Sequence, residues 1–250
     1  MSAARSGAKR QTTPAQPEFA PIRVEPAYRK VAAALLERIT ARTINAGERL
    51  PAETELARQF GVHRGTVREA LRELETNGVL KRERGSKLMM VTRPARVDVA
   101  AGVSRALALH DVSYHDIWEA LTALEPPIAA AAARQRKPKD LARIETIVTA
   151  SVTVEQTADF FRAVGEATQN GVFMLAHEPL VQMLIPSLGA LIDKVPQAAT
   201  RIEVAQKRIS TAIRARDGDQ AQEWMAKHIR DFRRGFEVAG IALEQPVETG

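Results

Sequence analysis

Residues 50–74 read LPAETELARQFGVHRGTVREALREL, and this stretch predicts two short helices joined by a tight turn. Gly61 stands where the turn is expected, because a residue without Cβ takes positive φ at little cost. Both helices carry their apolar residues at helical spacing, which gives each of them one face that can be buried. These residues are Leu56, Ala57 and Phe60 in the first helix, and Val67, Leu71 and Leu74 in the second.

Two arginines lie on the other side of the second helix. Arg64 and Arg68 are four residues apart, which places both on the outward face. A helix that buries one side and offers arginines on the other suits insertion into the major groove of DNA. An arginine pair alone is more often a solvated surface, so the interpretation as a DNA-binding helix depends on the elements around it.

The flanking segments complete a recognisable module. Tyr28–Ala41 predicts a preceding amphipathic helix, and residues 79–91 predict two short strands. The turn between the strands, residues 84–87, is basic, and Arg84 and Lys87 are placed there to reach phosphates or a minor groove. A helix, a helix-turn-helix and a basic hairpin together predict a winged helix-turn-helix domain.

The charge of the chain is unevenly distributed. Residues 1–96 contain 19 Lys and Arg against 10 Asp and Glu, a net charge of +9, whereas residues 97–250 contain 17 against 20, a net charge of −3. The basic part suits a polyanionic partner. The chain has no cysteine, which fits a reducing compartment. No nucleophile triad, phosphate-binding glycine loop or carboxylate pair stands out, so we expect neither an enzyme nor a cofactor.

The N-terminal residues carry no localisation signal that we recognise. Residues 1–25 are rich in Ala, Ser, Thr, Pro and Gln and lack the apolar segment of a signal peptide, so they predict a disordered arm. No apolar run approaches the ~20 residues that span a bilayer. We therefore expect a cytoplasmic protein with no membrane partner.

The second half predicts helices almost throughout, without strand signals. Several helices with short loops indicate an antiparallel bundle, so the fold class is mainly α. Pro126-Pro127 is expected to break or kink one helix, and Pro186 to bend another. The predicted helices are Val97–Leu109, Tyr114–Gln135, Lys139–Val154, Thr157–Asn170, Pro179–Lys194, Ala198–Arg216 and Gln220–Ala239.

The first half resembles the GntR family of bacterial transcription factors. The residues that carry this resemblance are Leu50-Pro51, Glu55-Leu56-Ala57, Gly61-Val62, Arg64, Thr66-Val67-Arg68-Glu69-Ala70-Leu71 and Gly78. Thr54 stands where many members have an arginine that touches DNA, so the operator sequence can differ while the mode of docking is retained. The resemblance implies a DNA interface formed by His63, Arg64, Thr66, Arg68, Arg84, Gly85 and Lys87.

The second half is similar to FCD, the all-helical effector-binding domain of the FadR subfamily of GntR regulators. The similarity rests on Ile117-Trp118-Glu119, Leu124-Glu125, Phe161, Glu178-Pro179-Leu180, Ile213-Arg214-Ala215-Arg216-Asp217, Met225 and His228. It implies a domain order of an N-terminal arm at 1–25, a winged helix domain at 26–93, a linker and connecting helix at 94–110, an FCD-like domain at 111–240 and a C-terminal tail at 241–250.

Two departures from that domain concern its ligands. Many members bind a divalent metal through an aspartate, a histidine four residues later and two further histidines, and these positions fall on Gly165, Gln169, Gln206 and His228. Glycine offers no ligand and glutamine is a weak one, so we expect no metal. An arginine that binds a carboxylate in some members falls on Leu121. The predicted effector site, apolar and enlarged, consists of Leu121, Phe161, Gly165, Gln169, Gln206 and His228.

The resemblance implies a ligand-responsive repressor. As a homodimer it would bind a near-palindromic operator in double-stranded DNA. A largely apolar small-molecule effector, with an acyl or aromatic skeleton, would release it. The alternative is a constitutive DNA-binding regulator with a degenerate FCD domain. A lone histidine in a bundle is more often a core group than a ligand, and this alternative stays open for His228. His177 is expected to be solvated or to cap a helix.

Overall fold

The computed structural model of the chain describes residues 25–83 and 85–247. These residues form two compact units with the boundary between Arg93 and Pro94. The fold is mainly helical, with a helix-turn-helix domain followed by a helical domain, as the sequence predicts. The predicted disordered arm lies outside the described residues except for Glu25, and so does Arg84 of the predicted wing.

The first unit is a three-helix domain with a small antiparallel hairpin. Its register pairs Leu80 with Val91 and Arg82 with Met89. Gly61 ends the second helix in the left-handed region at φ +64°, and the next amide, that of Val62, donates to the carbonyl of Ala57 at 3.1 Å. The elements are α1 (Ala27–Thr40), α2 (Glu53–Phe60), α3 (Arg64–Thr76), β1 (Leu80–Arg82) and β2 (Met89–Val91).

The predicted apolar faces form the core of this unit. Leu56 of α2 is buried with Val67, Leu71 and Leu74 of α3, whereas Ala57 and Phe60 pack at its edge. Burying a side chain of this size contributes about 1.5–3 kcal/mol. The core therefore fixes the angle between α2 and α3 and leaves the arginine face of α3 outside.

The described residues of the second unit, 94–247, form seven helices. The long helix Tyr114–Gln135 packs along the last helix of the chain, and the others cover the remaining faces of this pair. Trp118 stacks on Phe232 at 6.2 Å between ring centroids and meets Phe236 edge-on at 5.0 Å. The helices are α4 (Arg96–Leu109), α5 (Tyr114–Gln135), α6 (Pro138–Thr149), α7 (Val154–Ala167), α8 (Gly171–Lys194), α9 (Ala198–Ala215) and α10 (Gly218–Val238).

Helices α5 and α8 contain prolines inside their bounds. Helix α5 has the predicted bounds and continues through Pro126 and Pro127 without a break, whereas a kink there stays a prediction. A proline has no N–H, so the carbonyl four residues earlier loses the hydrogen bond that it would accept. Those carbonyls belong to Thr122 and Ala123, which line an open surface groove where water can reach them. Helix α8 begins eight residues before Pro179, at Gly171, after a cap by the Asn170 side chain.

Helix α8 is the one helix among the described residues that is long and apolar enough to cross a membrane by length and composition. The sequence predicts a shorter helix that starts at Pro179, eight residues after the observed start at Gly171. Leu180, Leu184, Leu188 and Leu191 pack into the core of the second unit. One side of α8 is therefore buried against other helices, whereas Val172 and Leu175 near its start are exposed.

Candidate DNA interface and effector domain

The two outward arginines of α3 share one carboxylate. Glu53, in the first turn of α2, accepts from Arg64 Nε at 2.8 Å and from Arg68 Nη2 at 3.0 Å. The arginine side chains are 57% and 45% exposed, whereas that of Glu53 is 19% exposed. Glu53 therefore lies behind the guanidinium groups and leaves them facing solvent.

Glu53, Arg64 and Arg68 form what we call the Glu53 triad, and their opposite charges stabilise one another. The hydrogen bond from Arg68, together with that from Arg64, lowers the pKa of Glu53 although partial burial opposes it. Glu53 in turn raises the pKa of Arg68 through the same hydrogen bond. The sequence places Glu53 in the first turn of a helix but gives no sign of this role, because its partners are 11 and 15 residues away.

The other predicted DNA contacts lie around the start of α3 and in the wing. His63 is the N-cap of α3 and is exposed, and Thr66 is half-buried. In the wing, Gly85 takes φ +79°, and Gly85 and Lys87 are exposed. An ion pair between Arg49 and Glu83 at 2.8 Å ties the start of the wing turn to the segment before α2.

The centre of the second unit is a packed aromatic and aliphatic core. Leu121 of α5, Phe161 of α7 and Phe232 of α10 surround a residual cavity of about 10 Å³, which is about the space of one water molecule. The His228 ring stacks on Phe161 at 5.8 Å and lies 4.5 Å from Phe232. The space that the sequence assigns to an effector around Leu121 and Phe161 is filled by side chains.

Two residues of the predicted effector site lie elsewhere. Gly165 faces His177, and a Cβ at this position would lie 2.5 Å from His177 Nε2. Gln169 follows the end of α7 with φ +56°, is exposed and donates to the Asp140 carboxylate at 2.8 Å. Gly165 and Gln169 therefore do not face one cavity with His228, and the expectation that they do is wrong. The residues of α7 that lie next to His228 belong to an earlier turn of this helix.

That earlier turn carries Thr157 and Phe161, which are four residues apart and buried. Of the four positions that the sequence assigns to a metal, Gly165 and Gln169 lie away from His228, and the Phe161 ring stacks on His228 in their place. Phe161 has no donor atom, and Gln206 Oε1 accepts from Gln156 Nε2 at 2.8 Å. The described residues contain no group of three His, Cys, Asp or Glu that could hold a metal ion. The side chains at this place do not fit a metal ion.

Glu125 and His177 form a buried carboxylate–imidazole pair that the sequence does not predict. His177 is buried, not solvated, and its Nδ1 lies 3.0 Å from Oε1 of Glu125, which is fully buried. Burial opposes the charged ring, but the hydrogen bond and charge of Glu125 raise the pKa of His177. The absence of a side chain at Gly165 makes room for the ring, so a glycine in the last turn of α7 was the available signal.

His228 has a different environment. It is fully buried, its Nε2 has no hydrogen-bond partner among the described residues, and burial lowers its pKa to about 3. The ring is neutral at neutral pH. His228 is thus a core histidine, as the alternative has it, but its Nε2 is not hydrogen-bonded.

Comparison with known proteins covers both units. Residues 27–88 match the model of the family described as "Bacterial regulatory proteins, gntR family", and residues 116–231 match the FCD domain. A regulatory protein of Escherichia coli K12, whose name refers to an L-lactate dehydrogenase operon, is 30% identical over 203 residues, 76% of this chain and 79% of that protein. The chain belongs to the GntR family. The combination with FCD is that of the FadR subfamily.

Other GntR relatives agree with this assignment. The Uxu operon regulator of Haemophilus influenzae is 28% identical and covers 86% of this chain and 84% of its own length. The transcriptional repressor NanR of Cronobacter sakazakii is 26% identical, with coverages of 78% and 79%. The structure of Streptococcus agalactiae GntR shares the fold with a TM-score of 0.60 at 24% identity and covers 83% of this chain and 99% of its own. The protein is a DNA-binding transcriptional regulator and not an enzyme.

The Glu53 triad leads to a prediction for a GntR regulator. Replacing Glu53 by glutamine removes the negative charge behind Arg64 and Arg68 and lets both side chains move. We expect binding to random-sequence DNA to tighten by about threefold to tenfold, since one opposing charge is lost, and the preference for the operator to decrease. Titrations of labelled operator and random duplexes at several salt concentrations measure both quantities.

The control for this variant is Glu55→Gln, which removes the same charge from the same helix. Glu55 pairs with Arg58 at 2.6 Å and not with the arginines of α3. Equal effects of the two variants on operator preference would show that Glu53 acts only through its net charge.

Proposed function

We propose that the protein is a ligand-responsive repressor that acts in the cytoplasm as a homodimer on a near-palindromic operator. The observation that carries the proposal is the exposed Arg64–Arg68 pair on α3, followed in the same chain by a helical domain of the FCD class. The DNA contacts that the sequence predicts, His63, Arg64, Thr66, Arg68, Gly85 and Lys87, remain proposals, as does Arg84 outside the described residues. The repressor named NanR among the relatives supports the direction of regulation.

The effector in this proposal is a small molecule with a largely apolar body. Two observations support an apolar body. The arginine and most of the metal ligands of related sensors are missing, and Leu121 and Phe161 lie among aliphatic and aromatic side chains. An effector can shift the protein from its operator only through different affinities for the DNA-competent and DNA-incompetent dimers. It must therefore contact helices whose packing differs between those two states.

A constitutive regulator is the second candidate, and a specific observation favours it. The centre of the second unit retains only about 10 Å³ of empty space, too little for an effector. In this case the helical domain would serve dimerisation alone, and no small molecule would change DNA binding.

One experiment separates the two candidates. Operator sequences are selected from a random duplex library with the full chain, and release of the selected duplex is then measured against a panel of apolar alcohols, carboxylates and aromatic compounds. A saturable release by one class supports the sensor. Selected sequences without two related half-sites would contradict the dimeric mode of binding.

A further inference from the structure

A second, larger cavity lies beside the packed centre of the second unit. It has a volume of about 350 Å³ and is formed where the end of α8, the start of α9 and the last turns of α10 meet. This size falls within the usual range of small-molecule sites. Leu191, Ile202 and Phe232 supply apolar wall. We call it the α8–α9 corner.

The mouth of the α8–α9 corner is positively charged. Arg201 and Arg234 both line it, are exposed, and have no ion-pair partner within the part of the chain that the structure describes. Asp231, the one acidic residue of the lining, is paired with Lys227 at 2.6 Å. Helix α9 begins here without a side-chain cap or an acidic residue in its first turn, so its dipole adds partial positive charge.

The inner wall of the corner includes a polar group without a partner. His228 is 1% exposed, lines the cavity and has a free Nε2. A buried polar atom without a hydrogen bond is costly, and a ligand atom that reached it would remove that cost. The α8–α9 corner thus combines an apolar wall, a cationic mouth and one unsatisfied polar atom.

The corner is also connected to the packed centre. Phe232 lines both the α8–α9 corner and the residual central cavity, and its ring lies 4.5 Å from that of His228. Leu191 of α8 packs directly on Gly235 of α10, because a Cβ at residue 235 would lie 2.6 Å from Leu191 Cδ1. A ligand bound in the α8–α9 corner would therefore contact residues that pack α8 against α10.

We propose that the α8–α9 corner is the effector site and that it takes a monocarboxylate with an aliphatic or aromatic body. The carboxylate binds Arg201 and Arg234 at the mouth, and the apolar body lies against Leu191, Ile202 and Phe232. This inference rests on the proposed function, since it assigns a place and a ligand class to the effector of the repressor. It moves that place away from Leu121 and Phe161, where the core is filled.

The test measures direct binding separately from operator release. The probes are octanoate, decanoate and 4-phenylbutyrate, with decanol as the uncharged counterpart of decanoate. Calorimetric titration of the full chain is expected to give saturable binding of at least one carboxylate and weaker binding of decanol. The double variant Arg201→Gln/Arg234→Gln should weaken carboxylate binding by about tenfold or more, because charge-assisted hydrogen bonds are lost.

The matched control is Arg230→Gln, an exposed arginine of α10 outside the corner. It should change carboxylate binding by less than about twofold, in keeping with an exposed charge that does not line the cavity. Both variants alter exposed side chains, and far-ultraviolet circular dichroism and thermal melting verify that each is folded.

The outcomes distinguish the two proposals. Binding that depends on Arg201 and Arg234 but leaves operator affinity unchanged retains the site and contradicts the ligand-responsive repressor. Operator release that is equal in the double variant and the wild type places the effector elsewhere and overturns the site. Failure of all three carboxylates to bind, or equal binding to the double variant, also overturns it.

Discussion

The double variant Arg64→Ala/Arg68→Ala is expected to lose operator recognition. Each arginine reaches from the exposed face of α3 and can contact a base edge or a phosphate, and such a contact is worth about 1–3 kcal/mol. The variant also leaves Glu53 without its two cationic partners, so an uncompensated carboxylate would then face the phosphates. We expect operator affinity to fall at least about a hundredfold, or roughly 3 kcal/mol.

Titration of the selected operator with each single variant, the double variant and Arg38→Ala measures this effect. Arg38 is an exposed arginine of α1 in the same unit and should have a small effect. Because both arginines share Glu53, the effects of the single variants are not expected to add. An arginine that contacts a base should alter the selected sequence when it is replaced, whereas one that contacts phosphate should reduce the salt dependence. Unchanged affinity of a folded double variant would remove α3 from the interface.

The second large effect concerns the response of stability to pH. Burial lowers the pKa of His228 to about 3 from 6.5. The unfolded chain therefore binds a proton at this residue below about pH 6.5, whereas the folded chain does so only near pH 3. The contribution of His228 to the free energy of unfolding is fully present above pH 6.5. It decreases by up to about 1.4 kcal/mol per pH unit as the pH falls from 6.5 towards 3.

His177 is expected to act in the opposite direction. Its pKa is raised by Glu125, although burial opposes this, so its contribution is present below its unfolded value of about 6.5 and is lost as the pH rises through the folded pKa. Urea unfolding between pH 4.5 and 8, followed by fluorescence of Trp118 and Trp224, reports on the second unit. His228→Leu should flatten the acid side of the profile, and His177→Asn should flatten the alkaline side. If the free energy of unfolding of His228→Leu still decreased at low pH as in the wild type, His228 would not be the cause of that decrease.

The helix-turn-helix could be predicted from local sequence because its determinants are local. The spacing of Leu56, Val67 and Leu71 defines the buried faces, and Gly61 marks the turn through its positive φ. The Arg64 and Arg68 face follows from the same periodicity. Glu53 could not be assigned in this way, since its interaction with both arginines depends on the angle at which α2 meets α3.

The effector site was less predictable because helical spacing does not fix register. Gly165 and Gln169 repeat the spacing of Thr157 and Phe161 two turns later. A shift of eight residues moves a pair about 12 Å along the axis and rotates it by about 80°. The displaced pair thus meets His177 and solvent instead of His228. The burial of His177 depends on its partner Glu125, 52 residues away, which no local pattern reveals.

The position of α4 defines where such a regulator can be divided and recombined. Helix α4 packs on α8, and the Ser104 hydroxyl lies 3.2 Å from the Pro179 carbonyl. A hybrid regulator joined after residue 110 would separate α8 from the helix that covers it. A hybrid joined between Arg93 and Pro94 would keep that surface intact and would leave each module with its own core. The point at which the two modules of this chain can be separated is therefore before α4, not after it.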